Sequence, residues 1–267
     1  MTHPSLLTVA LAQMQVGAAP EENFRRAAEA VAQAAAQHAD IVLLPELWPC
    51  EHALARPQAC ADPAGQGFFA RMQALAQAYR VAVGGSHLER DGDRFYNTFA
   101  LYAPDGRLWG AYRKIHCFLP MGEDILTPGE VVGLAATPWG EVGLAVCYDL
   151  RFPEIFRLQA TAGARLLLVV AAWPEARIRH WDALLPARAI ENQAFVAAVN
   201  RAGGQGTAPF GGHSSVLSPQ GESLARAGSQ ETVLLATLDL AQADAYRRAF
   251  PALEHRSPEA YRLEGKP

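Results

Sequence analysis

The chain has 267 residues, half of them hydrophobic and 19% charged, with a formal net charge of −4 at pH 7 and a pI of about 6.1. This composition can bury a large core, which argues against intrinsic disorder, and it offers no basic surface for nucleic acid. No apolar run reaches the length of a membrane span, and the N-terminus lacks the features of a signal peptide. We therefore expect a cytoplasmic protein without nucleic-acid or membrane partners.

Short apolar strands alternate with helices along the chain, and no repeat, low-complexity segment or long linker interrupts them. Strands are predicted at residues 6–14, 40–44, 80–87, 97–103, 107–113, 131–137, 141–146, 165–172, 194–199, 213–217 and 232–239. Helices are predicted at residues 20–38, 67–79, 153–162 and 181–193, with a further helix and an irregular tail after residue 244. Continuous apolar strands mixed with hairpins indicate an α/β fold with mixed sheets that are covered on both faces. We expect one domain over residues 1–267.

The cysteines are Cys50, Cys60, Cys117 and Cys147. Because the chain is large and is expected in the cytosol, reduced thiols are favoured over two disulfides. No pair has Cys-x-x-Cys spacing, and the eight histidines show no metal-ligand spacing. Neither a metal site nor another cofactor is therefore expected.

Two charged residues follow predicted strands. Glu46 stands at the C-terminal end of an apolar strand, where ligand sites of α/β proteins gather, and its carboxyl group can serve as a general base or acid. Lys114 follows a hairpin strand and can place a cation beside a developing oxyanion. Taken alone, each residue is more often an ordinary capping, ion-paired or solvated side chain.

The segment Gly143–Glu154 (GLAVCYDLRFPE) runs from a strand through Cys147 to a predicted helix. This order is typical of a strand-to-helix nucleophile elbow, in which backbone N–H groups after the nucleophile face a bound carbonyl oxygen. A thiol near a lysine and a helix start is expected to gain thiolate character. Asp149, Arg151 and Glu154 are expected to form an ion-pair cluster that holds the elbow.

Together, the segments around Glu46, Lys114 and Cys147 resemble the Glu–Lys–Cys signature of the carbon–nitrogen hydrolase (nitrilase) superfamily. Further segments resemble the family in the right order along the chain: Val9–Gln13, Phe95–Phe99, Ala172–Pro174, His180–Asp182, Arg188–Asn192 and Gly212–Ser215. The resemblance implies a four-layer α-β-β-α sandwich and a homodimer or higher homo-oligomer. Packing across a subunit interface is one candidate role for the C-terminal tail, residues 245–267.

The resemblance also implies a mechanism for an amidase. Cys147 attacks the amide carbon, Glu46 transfers protons, and Lys114 together with the backbone N–H of Tyr148 holds the oxyanion. No metal is needed in this mechanism, because Lys114 supplies the positive charge. Glu123 best matches a second glutamate that many family amidases carry between the lysine and the cysteine.

The residues after the nucleophile look most similar to those of the omega-amidase or Nit-type branch. Omega-amidases release ammonia from 2-oxo dicarboxylic acid monoamides such as 2-oxoglutaramate. The carboxylate of such a small-molecule substrate needs a cation, for which Arg177 is the candidate and Arg179 the rival. Trp173, Phe118 and Phe210 are candidate apolar walls of the pocket.

Other functions remain open on the sequence alone. Deaminated-glutathione amidases and N-carbamoyl amino acid hydrolases are compatible with the same signature, whereas a true nitrilase usually has tryptophan where this chain has Tyr148. A catalytically silent binding scaffold is an alternative of another class, although silent relatives typically lose a triad member. A redox sensor that uses Cys147 would have Cys117 as its resolving partner.

Overall fold

A computed structural model of the chain describes residues 3–51, 53–204 and 209–260. Over this part of the chain, two six-stranded mixed sheets pack face to face, and helices cover the outer face of each sheet. The layers follow one another as helix, sheet, sheet and helix. The predicted α-β-β-α sandwich is therefore confirmed.

Each sheet combines strands from distant parts of the chain. Side by side, the strands of the first sheet are β14 (Thr232–Asp239), β1 (Leu6–Gln13), β2 (Ile41–Leu43), β3 (Ala82–Asp91), β4 (Arg94–Tyr102) and β5 (Leu108–Arg113). Those of the second sheet are β13 (Ser223–Arg226), β12 (Ser215–Leu217), β9 (Phe195–Asn200), β8 (Leu166–Ala171), β7 (Gly140–Val146) and β6 (Gly133–Thr137). A separate ribbon pairs β10 (Ala202–Gly203) with β11 (Phe210–Gly211).

The central strands of each sheet are parallel. They are β1, β2 and β3 in the first sheet and β7, β8 and β9 in the second, and the remaining neighbours pair antiparallel. The helices are α1 (Pro20–Ala36), α2 (Pro57–Cys60), α3 (Gly67–Tyr79), α4 (Pro153–Thr161), α5 (Ile178–Asn192) and α6 (Ala241–Ala249). Helices α1 and α3 cover the first sheet, and α4 and α5 cover the second. Among the described residues, no helix has the length and apolar character required to cross a bilayer.

The middle core lies between the two sheets. Leu43 and Leu168 point into it, whereas their strand neighbours Val42 and Val169 point outward to the helices. Successive side chains of a strand alternate between its two faces, and here both faces are buried. This explains why the central strands are apolar without interruption in the sequence.

Two predicted elements, α3 and β14, have the predicted bounds, and most of the others differ by a few residues at their ends. The strand predicted to end at His87 instead continues to Asp91 and forms a long hairpin with β4. Its polar tip turns at Gly92, which has a φ of 61°. The hydrophobic pattern stops before this tip, so it could not reveal the hairpin. Helix α5 begins at Ile178, three residues before the predicted start at Trp181.

The expectation of four reduced thiols is wrong for two cysteines. The chain after Glu46 folds back over a small apolar cluster that includes Leu47 and Leu88. This fold-back brings the Cα atoms of Cys50 and Cys60 to 6.2 Å, a separation that a disulfide spans, and the two residues form one. Neither the expected cellular compartment nor the spacing of the cysteines in the sequence reveals this tertiary contact.

A stability prediction follows from the middle core. Leu168→Ala should lower the free energy of unfolding by about 2–5 kcal/mol, because it opens a cavity between two sheets that cannot both relax. Leu168 is fully buried, whereas Leu108 on an edge strand is 52% exposed and provides the control. Urea unfolding measures both variants; equal losses for Leu168→Ala and Leu108→Ala would contradict the assignment of the core.

Candidate active site

Cys147 stands directly after β7, where the chain turns toward α4 through a short 3-10 turn, Cys147–Arg151. Its φ of 48° lies in the left-handed region, which costs a residue with a Cβ about 1–2 kcal/mol. The next residue, Tyr148, belongs to the first turn of this short helix, where backbone N–H groups lack intrahelical acceptors. The predicted strand-to-helix elbow is therefore present at Cys147, the predicted nucleophile.

Asp149 ties this turn to the segment that carries Lys114. Its fully buried carboxylate accepts hydrogen bonds from the backbone N–H of Val146 at 2.9 Å and from the hydroxyl of Tyr112 at 2.8 Å. Its other oxygen accepts from the backbone N–H of His116 at 3.2 Å and lies 2.8 Å from the Nδ1 atom of the same residue. One carboxylate therefore holds Val146, the residue before Cys147, together with residues on both sides of Lys114.

The predicted ion-pair cluster of Asp149, Arg151 and Glu154 is wrong. Asp149 is occupied by the contacts above, and Glu154 is exposed. The Arg151 guanidinium lies over the Trp173 ring, 4.7 Å from its centre. A buried carboxylate needs donors on all its lone pairs, and here tyrosine, histidine and backbone groups provide them.

The Glu46 carboxylate accepts hydrogen bonds from three separate segments of the chain. One carboxylate oxygen accepts from the Asn97 side chain at 2.8 Å and from Lys114 Nζ at 3.0 Å, and the other accepts from the backbone N–H of Ala172 at 2.9 Å. The carboxyl end of β2 therefore meets the carboxyl ends of β5 and β8 at one edge of the sandwich. Asn97 contributes twice, because its backbone carbonyl also accepts a hydrogen bond from the Lys114 backbone N–H at 2.9 Å.

The Lys114 side chain is only 1% exposed and forms ion pairs with Glu46 and, at 2.6 Å, with Glu123. Burial opposes the ammonium charge, but the two carboxylates outweigh burial and raise the pKa of Lys114 above its ordinary value. Burial also raises the pKa of Glu123, although Lys114 opposes this effect. The second Glu123 oxygen accepts from the backbone N–H of Phe118 at 2.5 Å.

The expectation that Cys147 has thiolate character is wrong. Burial, followed by the negative charge of Glu46, raises the pKa of the Cys147 thiol well above its ordinary value, and Lys114 only partly opposes them. A thiol in these surroundings needs a base to remove its proton before it can act as a nucleophile.

A cavity of about 340 Å³ brings the polar residues together. Its wall includes Glu46, Lys114, Glu123, Cys147 and the predicted substrate-binding residue Phe118. A narrow extension of about 20 Å³ adjoins Cys147 and is lined by Tyr148, Trp173 and Arg177. A larger cavity of about 520 Å³ lies around strands β4 and β5, but none of the three predicted triad residues lines it.

Two contributors to the site were missed by sequence reasoning. Asn97 lies within the segment Phe95–Phe99, which resembles the family as a whole, but nothing in the pattern singled out its side chain. Arg201 follows β9 directly and lines the cavity of Cys147. Its position at the carboxyl end of a parallel strand was an available signal.

Comparison with known proteins agrees with this geometry. The carbon–nitrogen hydrolase family model matches residues 8–248, so the chain belongs to the carbon–nitrogen hydrolase family. The chain is 36% identical to 2-oxoglutaramate amidase of Bacillus subtilis (strain 168), over 91% of this chain and 94% of that protein. It is 33% identical to an omega-amidase of Bos taurus, over 97% of this chain and 98% of that protein. The crystal structure of a carbon–nitrogen hydrolase from Helicobacter pylori G27 superposes with a TM-score of 0.89 at 26% identity, covering 97% of this chain and 98% of the other.

The Asp149 contacts generate a prediction about positioning. In Asp149→Asn an amide NH₂ replaces one accepting oxygen and faces donors, so the turn should shift relative to Lys114. We expect kcat to fall roughly 100-fold with little change in KM, since small displacements of reacting groups have effects of this size. Stability should fall by about 1–3 kcal/mol. Glu154→Gln, on the same segment but exposed, is the control; equal effects of both substitutions would refute the role of Asp149.

The environment of Cys147 generates a second prediction. The Glu46 carboxylate raises the pKa of the thiol, so Glu46→Gln should lower that pKa and increase the thiolate fraction at a given pH. Alkylation of Cys147 by iodoacetamide between pH 7 and 9 should become about three- to tenfold faster, while amide hydrolysis is lost. Mass spectrometry of the Cys147 peptide measures the rate.

The background reaction in this experiment comes from Cys117, and burial raises the pKa of that thiol to about 11. A Cys147→Ala protein treated in parallel shows how much label Cys117 takes up. If a folded Glu46→Gln variant alkylates at the wild-type rate or more slowly, Glu46 does not control the thiol.

Proposed function

We propose that the protein is an omega-amidase, which hydrolyses the terminal amide of 2-oxo dicarboxylic acid monoamides such as 2-oxoglutaramate and releases ammonia. The observation that carries this proposal is the buried cluster of Glu46, Lys114 and Glu123 in the same cavity as Cys147. Together, Cys147 and the cluster provide a nucleophile, a base and a cation, the groups that acyl transfer from an amide requires. The names of the two relatives compared above support the choice of substrate.

In the first half-reaction, Glu46 accepts the thiol proton as the Cys147 sulfur attacks the amide carbon. The carbonyl π electrons move to oxygen and form an oxyanion. Glu46 then gives the proton to the amide nitrogen, the C–N bond breaks, and ammonia leaves a thioester on Cys147. Since the pKa of the thiol is raised, the transfer of its proton to Glu46 accompanies the attack.

Lys114 and the Tyr148 backbone N–H are proposed to hold the oxyanion. An ammonium group has three N–H donors, and Glu46 and Glu123 take one each, which leaves a third donor for the substrate oxygen. Glu123 is proposed to support this step by fixing the orientation of Lys114. In the second half-reaction, Glu46 removes a proton from water, and the water oxygen attacks the thioester carbon. The C–S bond then breaks, the acid leaves, and Glu46 returns the proton to the Cys147 sulfur.

The three predicted substrate-binding residues line the narrow extension of the cavity next to Cys147. Phe118 packs against Tyr148 with ring centres 4.6 Å apart, and the Arg177 guanidinium lies 5.1 Å from the centre of the Phe118 ring. Trp173 is held by hydrogen bonds to Asn200 and to the Arg177 carbonyl. We retain Phe118, Trp173 and Arg177 as proposed contacts of the substrate.

The assembly and location of the protein are also proposals. Residues 1–267 are proposed to form one domain of a cytoplasmic homodimer or higher homo-oligomer. Support for association comes from the outer helical layer, where Leu158, Ile190 and Phe250 are 53%, 49% and 56% exposed. The tail 245–267 is a candidate for this interface, although residues 261–267 of it lie outside the described residues.

The proposed activity predicts the outcome of a substrate panel. Ammonia release from 2-oxoglutaramate and 2-oxosuccinamate should exceed that from deaminated glutathione and from an N-carbamoyl amino acid. Cys147→Ala should abolish the release, whereas Cys117→Ala should retain activity of the same order, because Cys117 packs in an apolar cluster. A coupled glutamate dehydrogenase assay measures the ammonia.

Other outcomes of the panel have distinct meanings. Faster turnover of deaminated glutathione or of the N-carbamoyl amino acid would contradict the choice of substrate but leave the thiol mechanism in place. Activity that survives in Cys147→Ala would contradict the mechanism itself. The complete absence of turnover, together with normal labelling of Cys147, would refute all four substrates of the panel.

A further inference from the structure

Arg201 is a buried cation in the wall of the cavity that contains Cys147. Its side chain is only 5% exposed, and its guanidinium packs over Phe210, 4.1 Å from the ring centre. One terminal nitrogen, Nη2, donates to the Val16 carbonyl at 3.0 Å. The Nε atom is buried and has no hydrogen-bond acceptor among the residues that the structure describes.

The charge of Arg201 is only partly balanced. Burial lowers its pKa to about 10, and Glu51 and Glu46 offset this effect in part. The group is therefore still protonated at neutral pH. A carboxylate oxygen of Glu51 lies 4.0 Å from Nη2, beyond hydrogen-bond distance. A buried guanidinium with an unused donor is stabilised by a ligand that brings a carboxylate.

Lys114, the other cation of the cavity, has no unbalanced charge for a substrate carboxylate. Lys114 makes hydrogen bonds with both Glu46 and Glu123, so its charge is balanced within the site. Three glutamates, Glu46, Glu51 and Glu123, line the same cavity and would repel an acidic substrate. Among the described residues that line this cavity, Arg201 is therefore the cation best placed to bind an acid.

The size of the cavity favours Arg201 over Arg177 as the partner of a substrate carboxylate. The space next to Arg201 has a volume of about 340 Å³, within the range of pockets for small ligands. The extension next to Arg177 has about 20 Å³, which suits a single water molecule. The Arg177 guanidinium is partly exposed and lies 3.8 Å from the sulfur of Met121.

We propose that Arg201 binds the carboxylate of the amide substrate in the cavity next to Cys147 and thereby determines the preference of the enzyme for acidic over neutral amides. The apolar walls formed by Leu47, Leu54 and Phe118 then accommodate the carbon chain between carboxylate and amide. This inference rests on the proposed amidase function and specifies the residue that selects its substrate class.

The test measures binding and turnover separately. In a Cys147→Ala background, calorimetry compares 2-oxoglutaramate with 4-oxopentanamide, in which a methyl group replaces the carboxylate. Arg201→Met should weaken binding of the acid roughly 100-fold, the size expected when one partner of a buried charge pair is removed. Binding of the neutral amide should change by less than about threefold, within the range of a substitution that removes no contact to the ligand.

Two further variants serve as controls. Arg107→Met removes an arginine whose side chain is 77% exposed, and it should leave both affinities unchanged. Arg201→Lys keeps the charge but not the planar donor pair, and it should weaken only the acid, by about tenfold. Because Arg201→Lys retains the buried cation, it provides the test if Arg201→Met does not fold.

The outcomes distinguish this inference from the proposed function. Equal losses for acid and neutral amide, or no loss for either, would overturn the role of Arg201. A selective loss in Arg177→Met without one in Arg201→Met would also overturn it. If the acid binds selectively through Arg201 but the active protein releases no ammonia from it, the role of Arg201 is supported and the proposed omega-amidase function fails.

Discussion

The buried ammonium group of Lys114 between Glu46 and Glu123 is the interaction on which the rest of the site depends. Removing an ammonium and a carboxylate from water costs several kcal/mol for each ion, and the loss is offset only when the geometry and hydrogen bonds are good. Here the Ala172 N–H and the Phe118 N–H satisfy the carboxylate oxygens that face away from the lysine, and Asn97 donates to the Glu46 oxygen that also binds Lys114. Protein groups alone therefore hold the cluster in place.

Several strands of the fold position this cluster together with Cys147. Glu46, Lys114 and Cys147 follow strands β2, β5 and β7, which belong to both sheets of the sandwich. Packing between the sheets fixes the distances between the strand ends, and Asp149 fixes the remaining freedom of the Cys147 turn. The left-handed conformation of Cys147 is retained because both of its flanks are held in this way.

The charge balance of the cluster also sets the chemistry. Burial and the negative charge of Glu46 raise the pKa of the Cys147 thiol, and the positive charge of Lys114 only partly opposes them. The proposed mechanism therefore uses proton transfer to Glu46 during attack instead of a preformed thiolate. The same arrangement leaves one donor of Lys114 without a carboxylate partner, and this is the donor proposed to hold the oxyanion.

Much of this molecule could be predicted from the sequence. Continuous apolar strands and glycine- or proline-marked turns gave most elements, and the family resemblance gave the layered architecture that periodicity alone could not provide. The features that were missed depend on tertiary contacts: the Cys50–Cys60 pair, the partners of Asp149 and the burial of Arg201. No local pattern reports which distant groups surround a side chain. The sign of the pKa change at Cys147 was wrong for the same reason, because it depends on burial and on carboxylates 101 and 24 residues away in the chain.

The most direct test of the thioester mechanism is intact-protein mass spectrometry after rapid mixing with 2-oxoglutaramate and acid quench. We expect an adduct with the mass of the acyl group, located on the Cys147 peptide, which disappears as substrate is exhausted and never forms in Cys147→Ala. Ammonia release at a normal rate without any adduct on Cys147, or with an adduct on another residue, would contradict the mechanism.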